Sequence, residues 1–567
     1  MSVALSAGVS GLQAHQRMLD VAGANLANVN TTAYKATKVS FSELFSQTLV
    51  NASSPTQTAG GTNPQQIGAG VGIASVVRNT AQGGIVKTGN PLDVAIEGEG
   101  YFVAFDGGKD VYTRAGTLAV DENATLVDVS TGFRIQRTTS TGEADGFQIA
   151  GDSTIRIPFD QPMKPKATTQ VDLTGNLSAN LSLATAQTQL LTSNITFTEN
   201  GVNASAATEL ADLDQMSFTG ASASAGTTTL AITGFTHAGT AISATATFSF
   251  TDEMDDLLTA IKTAIDSAIS AQGESTTVAV ALSGGQILIT DSASGYSKMD
   301  FNMTYADTGN TTLKMPGYYE MTTVGGDEVK DISITVFDGA GAPHTLSGAL
   351  VRTDTANTWD FLVTAVTGQV NAITNLGRRI DGISFDADDG GFKGIPSTGD
   401  KIVTIQFGDG TATAQNVTFD LGTVGKFTGL TQVGGPSTAV ATDQNGFAKG
   451  DLASLSISNE GTVVGAFSNG IKRDIAILKL ALFRNPLGLE ALGKGYYAPT
   501  VNSGTAVATR ALTGGAGSLQ GSALEKSNAD VATEFVNLIQ AQNGFQANAR
   551  TIRVANDILR ELTQLIR

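Results

Sequence analysis

Two apolar stripes of helical period lie at opposite ends of the chain, and the period changes everywhere between them. Near the N-terminus Leu5, Leu12, Leu19 and Leu26 fall at a strict spacing of seven, with Val9, Ala22 and Val29 between them. That spacing predicts a short coiled-coil seam. From Ser527 to Arg567 a second stripe runs through Val531, Phe535, Leu538, Phe545, Ala549, Ile552, Leu559 and Ile566, interrupted by Gln542, Asn556 and Thr563 and by no proline. It predicts one helix of roughly 60 Å at about 1.5 Å per residue, longer than one face of a compact domain needs. Ser527 or Asn528 is placed to cap its first turn, and Asp530 and Glu534 lie where the helix dipole favours negative charge. A narrow apolar stripe on so long a helix needs another helix. The two terminal seams are therefore expected to pair as a coiled coil, with the rest of the chain inserted between them.

After Tyr34 the helical period is lost, and residues 31–75 read as a linker or extended arm, polar and rich in Ser, Thr, Gly and Pro from Asn51 to Gly72. Gly68, Gly70 and Gly72 have the spacing of a phosphate loop, but no lysine-serine pair follows them. From Val76 onward short alternating runs predict strands, and pairs such as Asn469 with Gly470 predict hairpin turns. One internal helix is expected from Met254, Leu257, Leu258, Ile261, Ile265 and Ile269, opened by Asp252 and Glu253, with its apolar face on strands near Thr245 to Phe250 and Val278 to Leu282. The fold class expected is mainly β with α-helical termini and nested β-rich domains between them.

Several of these segments resemble a known family. Leu12, Gln13 and Ala14, then Leu19-Asp20-Val21, Asn25-Leu26-Ala27-Asn28-Val29-Asn30-Thr31 and Tyr34-Lys35 resemble the N-terminal signature of the bacterial flagellar rod and hook proteins. Leu524-Glu525, Ser527-Asn528, Asp530, Glu534-Phe535 and Phe545-Gln546-Ala547-Asn548 resemble the matching C-terminal signature. Ala33 stands where that family usually has glycine, and Asn543 where an arginine is common. The run from Pro91 to Phe102, with Tyr112, Thr113, Arg114 and Gly116, is similar to the first half of the family's core domain. The second half follows at Gly446-Phe447, Asn459-Glu460-Gly461, Asn485-Pro486-Leu487-Gly488 and Ser503-Gly504. The resemblance implies five segments: a terminal helical domain at 1–30 and 525–567, the arm at 31–75, a split β core at 76–165 and 431–524, a second β domain at 166–178 and 319–430, and an inserted α+β module at 179–318. This module enters and leaves through one neighbour and is expected to be removable.

Charge sharpens this picture. The formal net charge is −18, which disfavours a nucleic-acid groove or an anionic membrane surface as partner. Residues 179–318 hold 13 acidic and 3 basic groups, whereas residues 1–50 hold 2 and 3, and residues 527–567 hold 4 of each. Balanced ends suit a crowded centre and an acidic module suits an exposed rim. There is no cysteine, hence no disulfide framework and no thiolate metal site. No apolar run reaches the ~18 residues of a membrane span, and the first residues lack the pattern of a cleaved signal peptide. His15, His237 and His344 form no ligand pair, and Asp386, Asp388 and Asp389 lack the closing glutamate of a calcium loop, so a solvated turn is expected there.

No cofactor, metal site or catalytic constellation is expected. The resemblance implies a structural subunit of the flagellar hook, polymerising into a curved, flexible hollow tube that passes torque from rod to filament. It also implies its partners: other copies of itself, a rod protein at the proximal end, hook cap and hook-filament junction proteins at the distal end, and the flagellar type III export apparatus. The implied location is extracellular, reached without a cleaved signal peptide. The residues expected to carry self-assembly are Leu5, Leu12, Leu19, Leu26, Val531, Phe535, Leu538, Phe545, Ile552 and Leu559, with the motif residues Asn25, Asn28, Asn30, Ser527, Asn528, Asp530, Gln546 and Asn548. Another axial protein, of the distal rod or the hook-filament junction, stays open as an alternative. So does a secreted β-rich enzyme or adhesin with coincidentally helical ends.

Overall fold

The computed structural model describes residues 3–180, 186–218, 227–305, 311–373, 377–396, 401–408 and 413–565. Its α-helices are α1 (Val3–Ala27), α2 (Met254–Ala271) and α3 (Val531–Leu565), and nearly all other regular structure is strand. The chain divides into two compact units, one of residues 1–163 with 450–567 and one of residues 164–449.

In the first unit α1 and α3 pack together along their lengths. Gly8 faces Ile552, Gly11 faces Asn548, His15 faces Gly544, and Asn25 is hydrogen-bonded to Glu534. Partner numbers fall as α1 is followed forward, so the pair is antiparallel. The segment expected to be a linker or extended arm is built as a two-stranded antiparallel ribbon. Thr37–Glu43 pairs with Val71–Arg78, Ser46–Val50 with Gln65–Gly68, and Ser53 bridges Thr62. Its composition reads as polar loop because both faces of an isolated ribbon are wet, leaving no buried face to impose alternation. The glycine triplet has a packing role here. Gly70 has φ +126°, and a Cβ on it would collide with Ser10 Oγ of α1.

The core of this unit is built from both ends of its sequence. Tyr101–Phe105 pairs with Asp110–Thr113 and with Leu480–Leu482, and Asp110–Thr113 pairs with Tyr496–Ala498. Tyr101, Tyr112, Phe483 and Tyr497 meet edge to face inside it. A second sheet runs Arg137–Thr138, Lys472–Leu478, Thr462–Phe467, Leu452–Ile457, and its turns use Gly461 and Gly470 at positive φ. Two short pairs then bring the chain back towards α3: Ser518–Gly521 on Val94–Glu97, and Ala523–Glu525 on Ile85–Lys87.

In the second unit Gln170–Ser178 is the organising strand. It pairs in parallel with Gln415–Asp420 and Leu430–Val433, and antiparallel with Val440–Gln444. Residues 431–447 therefore belong with this sheet, and the boundary expected at 430/431 moves to the end of the unit. A five-stranded meander from Val329–Phe337 to Phe392–Gly394 packs against it around the fully buried Trp359, Phe361 and Phe419.

The expected module boundary at 318/319 also moves. Tyr319–Thr323 pairs with Thr188–Ser193, which pairs in turn with Gln286–Ser294, so that strand is part of the module. Nor is the module a separate bead. Its core, with Leu191, Tyr319 and Met321, is continuous with Ala349, Val351 and Leu362 of the meander. Two adjacent arginines, the fully buried Arg378 and the partly buried Arg379, bridge them. Arg378 reaches Asp300 at 3.3 Å and the Tyr319 carbonyl at 2.8 Å, while Arg379 holds Asp360 and the Ser297 carbonyl, each at 3.1 Å. Within the module α2 buries Met254, Leu257, Leu258, Ile261, Ile265 and Ile269, and Glu253 and Asp256 form a capping box at its start.

Candidate assembly site

The α1–α3 seam is made of small and polar residues, not of the leucine stripe. On α1 the buried positions are Gly8, Gly11, Ala14, Ala22 and Asn25, and the half-buried His15 packs on Gly544. On α3 Glu534, Ala541, Asn548 and Ala555 repeat every seven, and all but the half-buried Asn548 are buried. A Cβ at Gly11 would lie 2.7 Å from Asn548 Oδ1, one at Gly544 2.5 Å from the His15 ring, and one at Gly8 3.0 Å from Ile552 Cγ1. The backbones approach so closely that these positions admit no larger residue without displacement.

Of the expected seam residues, Ile552 meets Gly8 in this contact. Leu5, Leu12, Leu19 and Leu26 are all half-buried, as are Leu538, Phe545 and Ile552. Val531, Phe535 and Leu559 are exposed, Phe535 by 49%, together with Val536, Ile539, Val554 and Ile558 on the same helix. Ile566 lies outside the described residues. Within the chain the closest approach of the helices is at Gly8, Gly11 and Gly544, with Ala22, Ala541 and Ala555 buried beside it, and the residues expected to carry self-assembly lie within this contact at Ile552 and outside it at the exposed Val531, Phe535 and Leu559.

Two motif asparagines clamp one stretch of backbone where the helices meet the ribbon. Asn25 is fully buried. Its Nδ2 donates to Thr37 O at 2.8 Å and Glu534 Oε1 at 2.9 Å, and its Oδ1 accepts from Thr37 N at 2.9 Å and the Tyr34 hydroxyl at 3.2 Å. Every polar atom of the amide is used, and Thr37 is held as a neighbouring strand would hold it. From the C-terminal side Asn528 Oδ1 accepts from Ala36 N at 2.7 Å, and its Nδ2 donates to the carbonyls of Asn79 and Ala81, each at 2.8 Å. Asn528 therefore does not cap α3, contrary to expectation. Asp530 does, accepting from Thr533 N at 3.1 Å and Thr533 Oγ1 at 2.6 Å, and these bonds hold its carboxyl below the usual carboxylate range. Ser527 Oγ serves only a local turn to Ala529 N.

Among the remaining motif residues, Asn28 closes α1 by donating to Ala24 O, Asn548 packs on Gly11, and Asn30 and Gln546 are exposed. Lys35, Arg114 and Glu525 form a buried ionic group beside the clamps, with Lys35 Nζ 2.6 Å from Glu525 Oε1. Sequence reasoning assigned them no role, since a lysine and a glutamate 490 positions apart carry no pairing signal.

Among the described residues no three His, Cys, Asp or Glu side chains converge on a metal position. His237 pairs with Asp291 at 2.7 Å and His344 with Asp338 at 3.2 Å in separate places, and Asp386 to Gly391 is a hydrogen-bonded turn.

Four family models match this chain in order. A flagellar basal body rod protein model covers residues 5–35, a flagellar hook protein FlgE/F/G D1 domain model 95–208, a flagellar basal body protein FlaE D2 domain model 326–447, and a flagellar basal body rod FlgEFG protein C-terminal model 520–565. The flagellar hook protein FlgE of Treponema pallidum is 30% identical over 572 residues, covering all of both chains. This chain belongs to the flagellar hook protein family. The FlgE hook protein of Borreliella burgdorferi is likewise similar, at 28% identity over the whole of both chains. By contrast the basal-body rod protein FlgG of Bacillus subtilis, at 38% identity, aligns with only 28% of this chain and 54% of its own. The hook proteins are matched over the whole of both chains, whereas the rod protein is matched over a fraction. The family is structural, and this member of it is not an enzyme.

Proposed function

We propose that copies of this chain polymerise head to tail into the curved, flexible hollow tube of the flagellar hook, which passes torque from rod to filament. One observation carries the reading: α1 and α3 satisfy each other through small residues and leave Phe535, Val536, Ile539, Val554, Ile558 and Leu559 exposed along a single helix. A lone chain in water gains nothing from that surface, and a row of neighbouring helices buries it. The ribbon offers more of the same, with Phe41, Leu44, Phe45, Leu49, Ile67, Ile73 and Val76 exposed. Contacts between unlike faces of identical subunits build open helical assemblies rather than closed rings. In this reading the helices line the inside of the tube and the acidic module lies toward the rim, where mutual repulsion is relieved by solvent. The partners that follow are a rod protein below, cap and junction proteins above, and the flagellar export apparatus, with the assembled tube outside the cell.

Phe535→Asp and Leu559→Asp test it. Both side chains are already exposed in the single chain, so the monomer's unfolding midpoint is expected to stay within a few degrees of wild type. Polymer formation, scored by electron microscopy and sedimentation, is expected to be lost, because a neighbour would have to bury an unpaired charge at a cost of several kcal/mol, about 3–5. Normal tubes from either variant would reject the reading.

A further inference from the structure

We infer that Lys35, Glu525 and Arg114 form a buried latch that seats both ends of the chain on the core at once, making them positioning residues for assembly. Its consequence for the polymer rests on the hook-subunit reading, while the latch itself is a property of the single chain. Glu525 ends the strand Ala523–Glu525, shortly before α3, and is 1% exposed. Its Oε1 accepts from Lys35 Nζ at 2.6 Å and from Gly83 N at 2.8 Å. Its Oε2 has no hydrogen-bond partner and lies 3.7 Å from Arg114 Nη1. Lys35 follows α1 and also donates to the Ala81 carbonyl at 2.8 Å. Arg114 follows the core strand Asp110–Thr113, and its guanidinium donates to the carbonyls of Gly100 and Gly98.

Each charge thus comes from a different part of the unit: the segment after α1, the β core and the segment before α3. One carboxylate serves two buried cations, so neither cation is tolerated until Glu525 arrives, and Glu525 has nowhere to go until both are in place. Burial pushes the Lys35 ammonium below its ordinary range despite the pull of Glu525, as expected of a charge kept out of water. Apolar packing would hold such a junction as firmly and would let it slide. In this proposal the buried ionic group serves to select the single arrangement it accepts. Here that arrangement fixes where α1 and α3 leave the core, and hence the direction in which the exposed apolar residues of α3 point.

The test is amide hydrogen exchange on the full-length monomer, comparing wild type with Glu525→Gln and Lys35→Met. Each substitution lies in only one terminal segment. The latch predicts that either one speeds exchange in both α1 and α3 by at least tenfold and leaves Tyr101–Phe105 and Leu480–Leu482 unchanged. The double variant should exchange no faster than the single ones, because the latch is already open. Loosening confined to the substituted segment, equal loss of protection in the core strands, additive effects or no effect would each overturn the inference. The same monomers are then set to polymerise. Wild-type tubes from chains with loosened helices would overturn the assembly role, whereas failure of the unsubstituted chain to polymerise would count against the hook-subunit reading instead.

Discussion

Ala33 carries strain at a buried position. It has φ +57°, and its N–H donates to Glu525 O at 2.9 Å. The left-handed conformation costs an alanine about 1–2 kcal/mol, a cost that a glycine would not bear. Ala33→Gly is expected to raise the unfolding midpoint of its unit by a few degrees, at about 2–4 °C per kcal/mol, less the extra freedom glycine gives the unfolded chain. Calorimetry decides it, and a fall would mean that the alanine methyl is needed for packing. Asp530 gives a pH signature. The Thr533 hydroxyl and N–H depress its carboxyl below the ordinary value of 3.8. A depressed carboxyl contributes stability that is present above the unfolded value and lost as pH falls through the folded one. The first turn of α3 should therefore fray on acidification below pH 3.8, as measured by exchange in residues 531–535. Asp530→Asn keeps a cap and should remove that dependence on pH.

At the scale of elements, the distance between α1 and α3 is set by three glycines, and the helices pay for the close approach in propensity, about 1 kcal/mol for each glycine relative to alanine. Filling the seam should separate them. Gly11→Leu puts a side chain where Asn548 already lies, an overpacking that typically costs about 1–3 kcal/mol. The expected result is loss of helical circular dichroism on heating at a lower temperature than wild type, while the aromatic signal of Tyr101, Tyr112 and Tyr497 melts as before. If both signals shift together, the helix pair and the β core form one cooperative unit. The ribbon is the weaker element, with wet faces and few buried side chains, and its hold on α1 depends on Gly70 and on the clamp at Thr37.

For the whole molecule, nesting places an insertion inside an insertion, and the sequence suggests that the innermost piece can be removed. The structure makes that removal costly. Deleting residues 186–325 would strip Asp300 and the Tyr319 carbonyl from Arg378, strip the Ser297 carbonyl from Arg379, and bare Ala349, Val351 and Leu362. Removing one side of a buried ion pair costs about 3–5 kcal/mol, so the shortened protein is expected to lose that much from its second unit and to aggregate. Adding Arg378→Met to the deletion should recover part of the loss. A deleted protein with a wild-type melting curve would show that the shared core contributes little.

The sequence by itself determined the periods and therefore the kinds of element: two terminal helices, the internal helix with its six buried apolar residues, strands and Asn-Gly turns between, and two signatures specific enough to name a family. Period is a local property, written every two or three-and-a-half residues. What tertiary structure alone decided are the matters that depend on which residue arrives opposite. Glycine and alanine line the closest approach of α1 and α3 because that contact is chosen by how near two backbones can come, which no single helix reveals. The linker or extended arm took the form of a ribbon because pairing between Thr37 and Arg78 joins residues across a polar loop. The capping role passed from Asn528 to Asp530 because a backbone stretch from the other end of the chain claimed the asparagine first. The ionic group of Lys35, Arg114 and Glu525 exists only because the chain returns to where it began.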